Sequence, residues 1–136
     1  NLARLYADGQ GGAASPAQAL KWYLAAAEQG HSGAQNRLGV MYAEGQGTAR
    51  DYGKAVQWYQ RSAEQGDAAA QFNLGMVYAQ GQGVPRDNAK AYFWYNLAAM
   101  ELGGDAAKRR DETAQKLSIA QVAEQQNKAL AWQPKR

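Results

Sequence analysis

Gly45-Gln46-Gly47 closes the string YAEGQG, and near copies stand at residues 6–11 (YADGQG) and 78–83 (YAQGQG). Glycines one residue apart raise a chemical possibility first, because such turns let backbone N–H groups approach a phosphate. The dinucleotide fingerprint G-x-G-x-x-G needs a third glycine and a preceding strand. Here Thr48, Ala49 and Arg50 follow Gly47, no strand-like alternation precedes it, and no G-x-x-x-x-G-K-[ST] occurs. Phosphate binding is therefore not expected.

The other reactive side chains are tested in the same way. His31 is the only histidine, in the turn QGHSG, and Asp67 takes its place 36 residues on. Proton transfer or metal binding by His31 needs convergent partners, and none stands at ligand spacing. Glu28 and Glu64 also recur 36 apart, which puts them in different units rather than in an acid–base pair. The Trp-Tyr pairs at 22–23, 58–59 and 94–95 suggest an aromatic ligand box. Neighbours on a helix point about 100° apart, so the two rings diverge and read as core. Cysteine is absent, which removes thiolate nucleophiles, thiolate metal sites and disulfides. The expectation is no catalytic residue, no cofactor, no metal and no enzyme activity; a small hydrolase would need a constellation that is missing.

Charge gives one further possibility. Residues 105–136 hold seven basic side chains and four acidic ones, and seven minus four equals the +3 of the whole chain. A basic C-terminal helix is the feature that would bind an anionic ligand or nucleic acid. An excess this modest fits a solvated terminal helix better, so nucleic acid is not the expected partner.

What must position these residues is a repeat. Tyr6, Ala7, Gly9, Gln10, Gly11, Ala19, Trp22, Tyr23 and Ala27 each return at +36 and again at +72, without insertion. Ala34, Leu38 and Tyr42 fall at i, i+4 and i+8, one helical stripe. Gly45 and Gly47 stop that helix. Ser15, Asp51 and Asp87 then stand at matching cap positions, with Pro16 after Ser15 at a first helical position. Ala55, Trp58, Tyr59 and Ala63 run along a second helix, which Gly66 ends as Gly30 does one unit earlier. The 136 residues suffice for one domain with a core, and 46% apolar with 20% charged residues fits a folded soluble chain. No run reaches the ~18 apolar residues of a membrane span.

The pattern A-x-x-x-L-G-x-x-Y-x-x-G-x-G, then D-x-x-K-A-x-x-W-Y-x-x-A-A-x-x-G, resembles the Sel-one-like repeat, a relative of the tetratricopeptide repeat. Ala34, Leu38, Gly39, Tyr42, Gly45, Gly47, Asp51, Lys54, Ala55, Trp58, Tyr59 and Gly66 carry it. Ala70, Leu74, Gly75, Tyr78, Gly81, Gly83, Asp87, Lys90, Ala91, Trp94, Tyr95 and Ala99 carry it again. In the first copy Leu2 matches Leu38 but Ala3 stands where Gly39 does, and the helix lacks its start. The expectation is that a leader or further repeats precede Asn1. The fourth unit departs: Gly103-Gly104 introduce DAAKRRDETAQKL at 105–117, and Ser118 caps a last helix over 119–132. This reads as a solenoid cap with a polar outer face.

The fold expected is all-α: a right-handed α-solenoid of antiparallel helix-turn-helix repeats with a 36-residue period. It forms a single domain, with a truncated first repeat at 1–30, repeats at 31–66 and 67–103, and a C-terminal capping helix pair at 104–136.

Repeat stacks bind on a concave surface lined by the first helix of each unit. With Leu38 facing the core, Asn36, Arg37, Val40 and Glu44 point away. Their counterparts are Phe72, Asn73, Met76 and Gln80, and in the first unit Asn1, Arg4 and Asp8. Structural positions repeat their residue type, whereas these vary between copies. Phe72 and Met76 are the sharpest pair, apolar at i and i+4, with packing on a neighbouring helix as the alternative. The expected role is a monomeric protein-interaction scaffold or adaptor that takes a partner protein or peptide. By resemblance the chain fits a bacterial, periplasmic or secreted setting, with a cytoplasmic one open. An immunity protein that neutralises a secreted toxin is the alternative from the same family.

Overall fold

The computed structural model describes residues 16–134. Among the described residues there are helices and turns and no strand. The helices are α1 (Pro16–Glu28), α2 (Ser32–Glu44), α3 (Tyr52–Glu64), α4 (Ala68–Gln80), α5 (Asn88–Leu102), α6 (Gly104–Ala114) and α7 (Ile119–Ala131). Each helix from α1 to α5 packs on the next, α7 returns to α5, and one continuous apolar cluster runs from Ala19 in α1 to Ala129 in α7. The fold is an α-solenoid.

The turns follow from the repeated residues. Gly45 and Gly81 end α2 and α4 in the left-handed region, at φ 74° and 70°, where a Cβ is strained. Their N–H groups donate to Met41 O and Val77 O. Gly47 and Gly83 have a second task. A Cβ on Gly83 would lie 2.9 Å from the Tyr52 backbone, and one on Gly47 would meet the Pro16 carbonyl. Each of these glycines therefore seats its turn on the start of the preceding unit's second helix. The loop closes when Asp51 N–H donates to Tyr42 O at 2.9 Å and Asp87 N–H to Tyr78 O at 3.0 Å. Both aspartates then cap the following helix by accepting from Lys54 N and Lys90 N. The capping lysines lie over the rings that end the first helices, Lys54 5.4 Å from Tyr42 and Lys90 5.3 Å from Tyr78.

Within each unit the Leu-Gly pair explains how the two helices meet. Leu38 and Leu74 are fully buried. Beside them the backbone of Gly39 lies against the Tyr59 ring, and that of Gly75 against the Tyr95 ring. Tyr23, Tyr59 and Tyr95 are all buried. The preceding tryptophans are not uniformly core. Trp94 is 6% exposed, packed edge-on to Phe93 and to Trp132 just after α7, whereas Trp22 is 45% exposed. Trp58 is half-buried with the Arg61 guanidinium 4.6 Å from its ring. The cover that neighbouring elements provide therefore differs along the stack at this one repeat position.

Two buried amides tie one unit to the next. Gln35 Nε2 donates to Ala27 O at 3.0 Å, and Gln71 Nε2 to Ala63 O at 3.2 Å. Each adds a second donor to a carbonyl at the C-terminal end of the preceding helix, which already accepts from Gly30 N or Gly66 N in the turn. Ser62 Oγ donates to Ser32 O at 2.7 Å, and Gln65 Nε2 to Gln35 Oε1 at 2.7 Å, extending the network between units.

The C-terminal helices differ from the expected capping pair. The first ends at Ala114 rather than 117. Ser118 caps α7 with a full capping box to Gln121. Helix α7 packs against α5 rather than along α6: Trp132 meets Trp94, and Gln126 Nε2 donates to Tyr92 Oη at 3.0 Å. Nor is its outer face wholly polar, since Ile119 is 91% exposed and Leu130 76% exposed.

Candidate functional site

The face lined by α2, α4 and α6 carries the residues that vary between copies. Arg4 and Asp8, with Asn1, lie outside the described residues. Of the rest, Glu44 and Gln80 are exposed, and Asn36, Arg37, Val40, Phe72, Asn73 and Met76 are half-buried. Their half-burial has identifiable causes. Val40 packs on the core cluster, so it is a structural position as well as a surface one. Phe72 packs on Tyr95, with ring centroids 5.7 Å apart and planes 53° apart, and the Arg109 guanidinium lies 5.8 Å above its ring. Packing on a neighbouring helix therefore accounts for much of Phe72.

The structure joins these residues across units. Asn73 Nδ2 donates to Asn36 Oδ1 at 3.0 Å, linking α4 to α2 along this face. Arg37 donates to Gln46 Oε1 at 3.1 Å, and Gln46 Nε2 in turn donates to Glu44 at 3.4 Å. A loop glutamine thus holds the arginine and the carboxylate of one unit near each other.

Two core tyrosines and Arg109 also bear on this face. Burial pushes the Tyr59 hydroxyl up to about 12, with the Glu44 charge adding to the rise and Arg37 opposing it. Burial likewise raises Tyr95, while Arg109 opposes by its charge and a hydrogen bond, and Glu112 adds to the rise. The rings are core, yet their hydroxyl ends feel the charges of this face. Arg109 was legible after all: Arg37, Asn73 and Arg109 are 36 apart, as are Val40, Met76 and Glu112. Loss of the Leu-Gly-Tyr set in the fourth unit concealed the register, because the period was followed through its packing residues.

Three of the basic side chains in the C-terminal segment have identified neighbours. Arg109 turns to Phe72, Arg110 pairs with Asp111 at 3.1 Å, and Lys128 pairs with Glu124 at 3.4 Å. His31 occupies the N-cap position of α2 with no side-chain cap bond, and it is exposed. Among the described residues no three of His, Asp and Glu come together to hold a metal ion. No described helix is long and apolar enough to cross a membrane.

Comparison with known proteins adds sequence and structural likenesses. The family model "Sel1 repeat" matches residues 1–31, 32–67 and 68–101. Similar solved structures include c5321, described as a protective antigen present in uropathogenic Escherichia coli strains displaying an SLR fold. It superposes at a TM-score of 0.82 with 32% identity, over 85% of this chain and 25% of that one. A Sel1 repeat protein from Oxalobacter formigenes superposes at 0.77 with 35% identity, over 80% of this chain and 45% of that one. The chain thus spans less than half the length of either. A comparison with curated proteins finds no match.

Proposed function

The chain belongs to the Sel1 repeat family, and from that premise we propose that it is a non-catalytic adaptor which binds a partner protein or peptide along the concave face of α2, α4 and α6. Sel1 repeat proteins generally mediate protein–protein interactions. One observation carries the reading to this face. The packing positions keep their residue type from unit to unit, while Asn36/Phe72, Arg37/Asn73, Val40/Met76 and Glu44/Gln80 change. Selection for stacking alone would favour the same residue in each copy, as it does for Leu38 and Leu74. The Asn36–Asn73 bond supports the same reading, since it makes the two units' variable residues one continuous surface.

The test is affinity capture from the native cell with mass spectrometry, repeated with two folded variants. Phe72→Ala with Met76→Ala removes the apolar pair. Glu44→Trp with Gln80→Trp places bulk at two exposed positions, where it blocks the face without touching the core. Loss of the same partner from both is the expected result. If both variants keep native circular dichroism and retain every partner, this assignment of the face is wrong.

A further inference from the structure

We propose that the α2–α4–α6 face takes an extended acidic segment of a partner protein, with two carboxylates seated on Arg37 and Arg109 and an apolar side chain between them on Phe72 and Met76. This rests on the adaptor reading and specifies the chemistry of its partner.

Arg109 is the first reason. It is exposed, and among the described residues it forms no ion pair, unlike its neighbour Arg110. It is nevertheless placed by packing, 5.8 Å over the Phe72 ring, which itself packs on Tyr95. An arginine placed over an aromatic face has lost little of its charge to a partner, and its planar donor fork remains for a carboxylate.

Register is the second reason. Arg37 stands two periods before Arg109, with Asn73 between them. The direct Asn73–Asn36 bond brings α2 and α4 to about 10 Å of each other at this face, so two unit steps come to about 20 Å. An extended chain covers about 3.4 Å per residue, which sets the two carboxylates about six residues apart. Between them the face offers Phe72 and Met76, one helical turn apart on α4 and both half-buried. The joined amides of Asn36 and Asn73 lie on the same path. Amide groups there suit the backbone of a crossing strand, which has donors and acceptors to satisfy. Glu44 and Glu112 flank the path, so a segment rich in acids at every position would be repelled. Carboxylates at the two arginine positions alone fit the charge pattern.

The probe is a fluorescein-labelled peptide in an extended serine-rich background, carrying two glutamates about six residues apart with leucine midway. Anisotropy is read against the intact chain. A second peptide of the same composition has the two glutamates adjacent. Expected are tighter binding of the spaced peptide, loss that grows with salt, and weakening of at least about tenfold on Arg109→Ala. The control Arg110→Ala should change binding less than about twofold. Equal binding of the two peptides, or Arg109→Ala indistinguishable from Arg110→Ala, overturns the proposal. So does a single-stranded DNA oligomer that binds with the same dependence on Arg109, because the face would then recognise phosphate. If captured partners are lost from the Glu44→Trp/Gln80→Trp variant while Arg109→Ala and the peptides do nothing, the adaptor reading stands and this refinement of it falls.

Discussion

Gly75→Ala is the substitution that most directly tests how the helix pairs are held. Two effects oppose each other. Alanine is the better helix former by about 1 kcal/mol, so propensity alone predicts a gain. A Cβ at Gly75 would lie 2.7 Å from Tyr95 Cδ1 and 2.8 Å from Cε1, closer than carbon atoms pack. These are atoms of a ring that is 2% exposed and packed against Phe72, not the tip of a mobile chain. The ring cannot swing aside, so α4 and α5 must separate. Overpacking of this kind costs about 2–3 kcal/mol. The net expectation is destabilisation by about 1–2 kcal/mol, a fall in Tm of about 3–8 °C for a chain of this size. Gly39→Ala should behave alike, since the Tyr59 ring occupies the same place against it. Gly33→Ala is the control: it lies in α2 with nothing within 4 Å of its Cβ, so it should stabilise by up to about 1 kcal/mol. Thermal and urea denaturation followed by circular dichroism measure all three. A Gly75→Ala protein as stable as the parent would refute the close ring-on-backbone contact as the reason for the Leu-Gly pair.

Other outcomes follow from the caps, the buried amides and the tyrosines. His31 and Asp67 share φ −71° and ψ 111° at equivalent N-caps, but only Asp67 accepts a cap bond, from Ala70 N. His31→Asp should therefore raise stability by about 1 kcal/mol, and an unchanged urea midpoint would count against it. Gln71→Leu should cost about 1 kcal/mol by removing one bond to the Ala63 carbonyl, which keeps the Gly66 N–H; an unchanged midpoint in the same titration would count against the tie. Raising the Tyr59 pKa from 10.0 to about 12 means the folded state holds its proton more tightly. That stabilisation is complete below pH 10 and is lost as pH climbs through about 12. Alkaline unfolding should accordingly shift upward in Tyr59→Phe, and ultraviolet titration should show an ionisation near pH 12 that Tyr59→Phe lacks.

The repeat was readable because it serves packing and turn geometry, which demand particular residue types at fixed spacing. Gly45, Asp51, Leu38 and Tyr59 each have a local job, and their recurrence at 36 residues carried the helices, the caps and the family. The buried pair Gln35 and Gln71 recurs just as regularly. A polar residue in a variable-looking helix start gives no local hint that it spans to the preceding unit, so its role became visible only with Ala27 and Ala63 beside it. The same limit hid Arg109, whose register survives in a unit that has lost the packing motif.

By itself the sequence determined the period, the helix ends within the repeats and the solenoid, because capping oxygens, left-handed glycines and apolar stripes act within a few residues of one another. Tertiary structure decided what no local pattern can specify. It seated Gly47 and Gly83 on the preceding unit, turned α7 onto α5 instead of along α6, and covered Trp94 with Trp132 while leaving Trp22 half open. It also brought Phe72, Tyr95 and Arg109 together from three different helices. Contacts between units depend on which side chain fills the space that a neighbour leaves, and that is a property of the stack rather than of any one repeat.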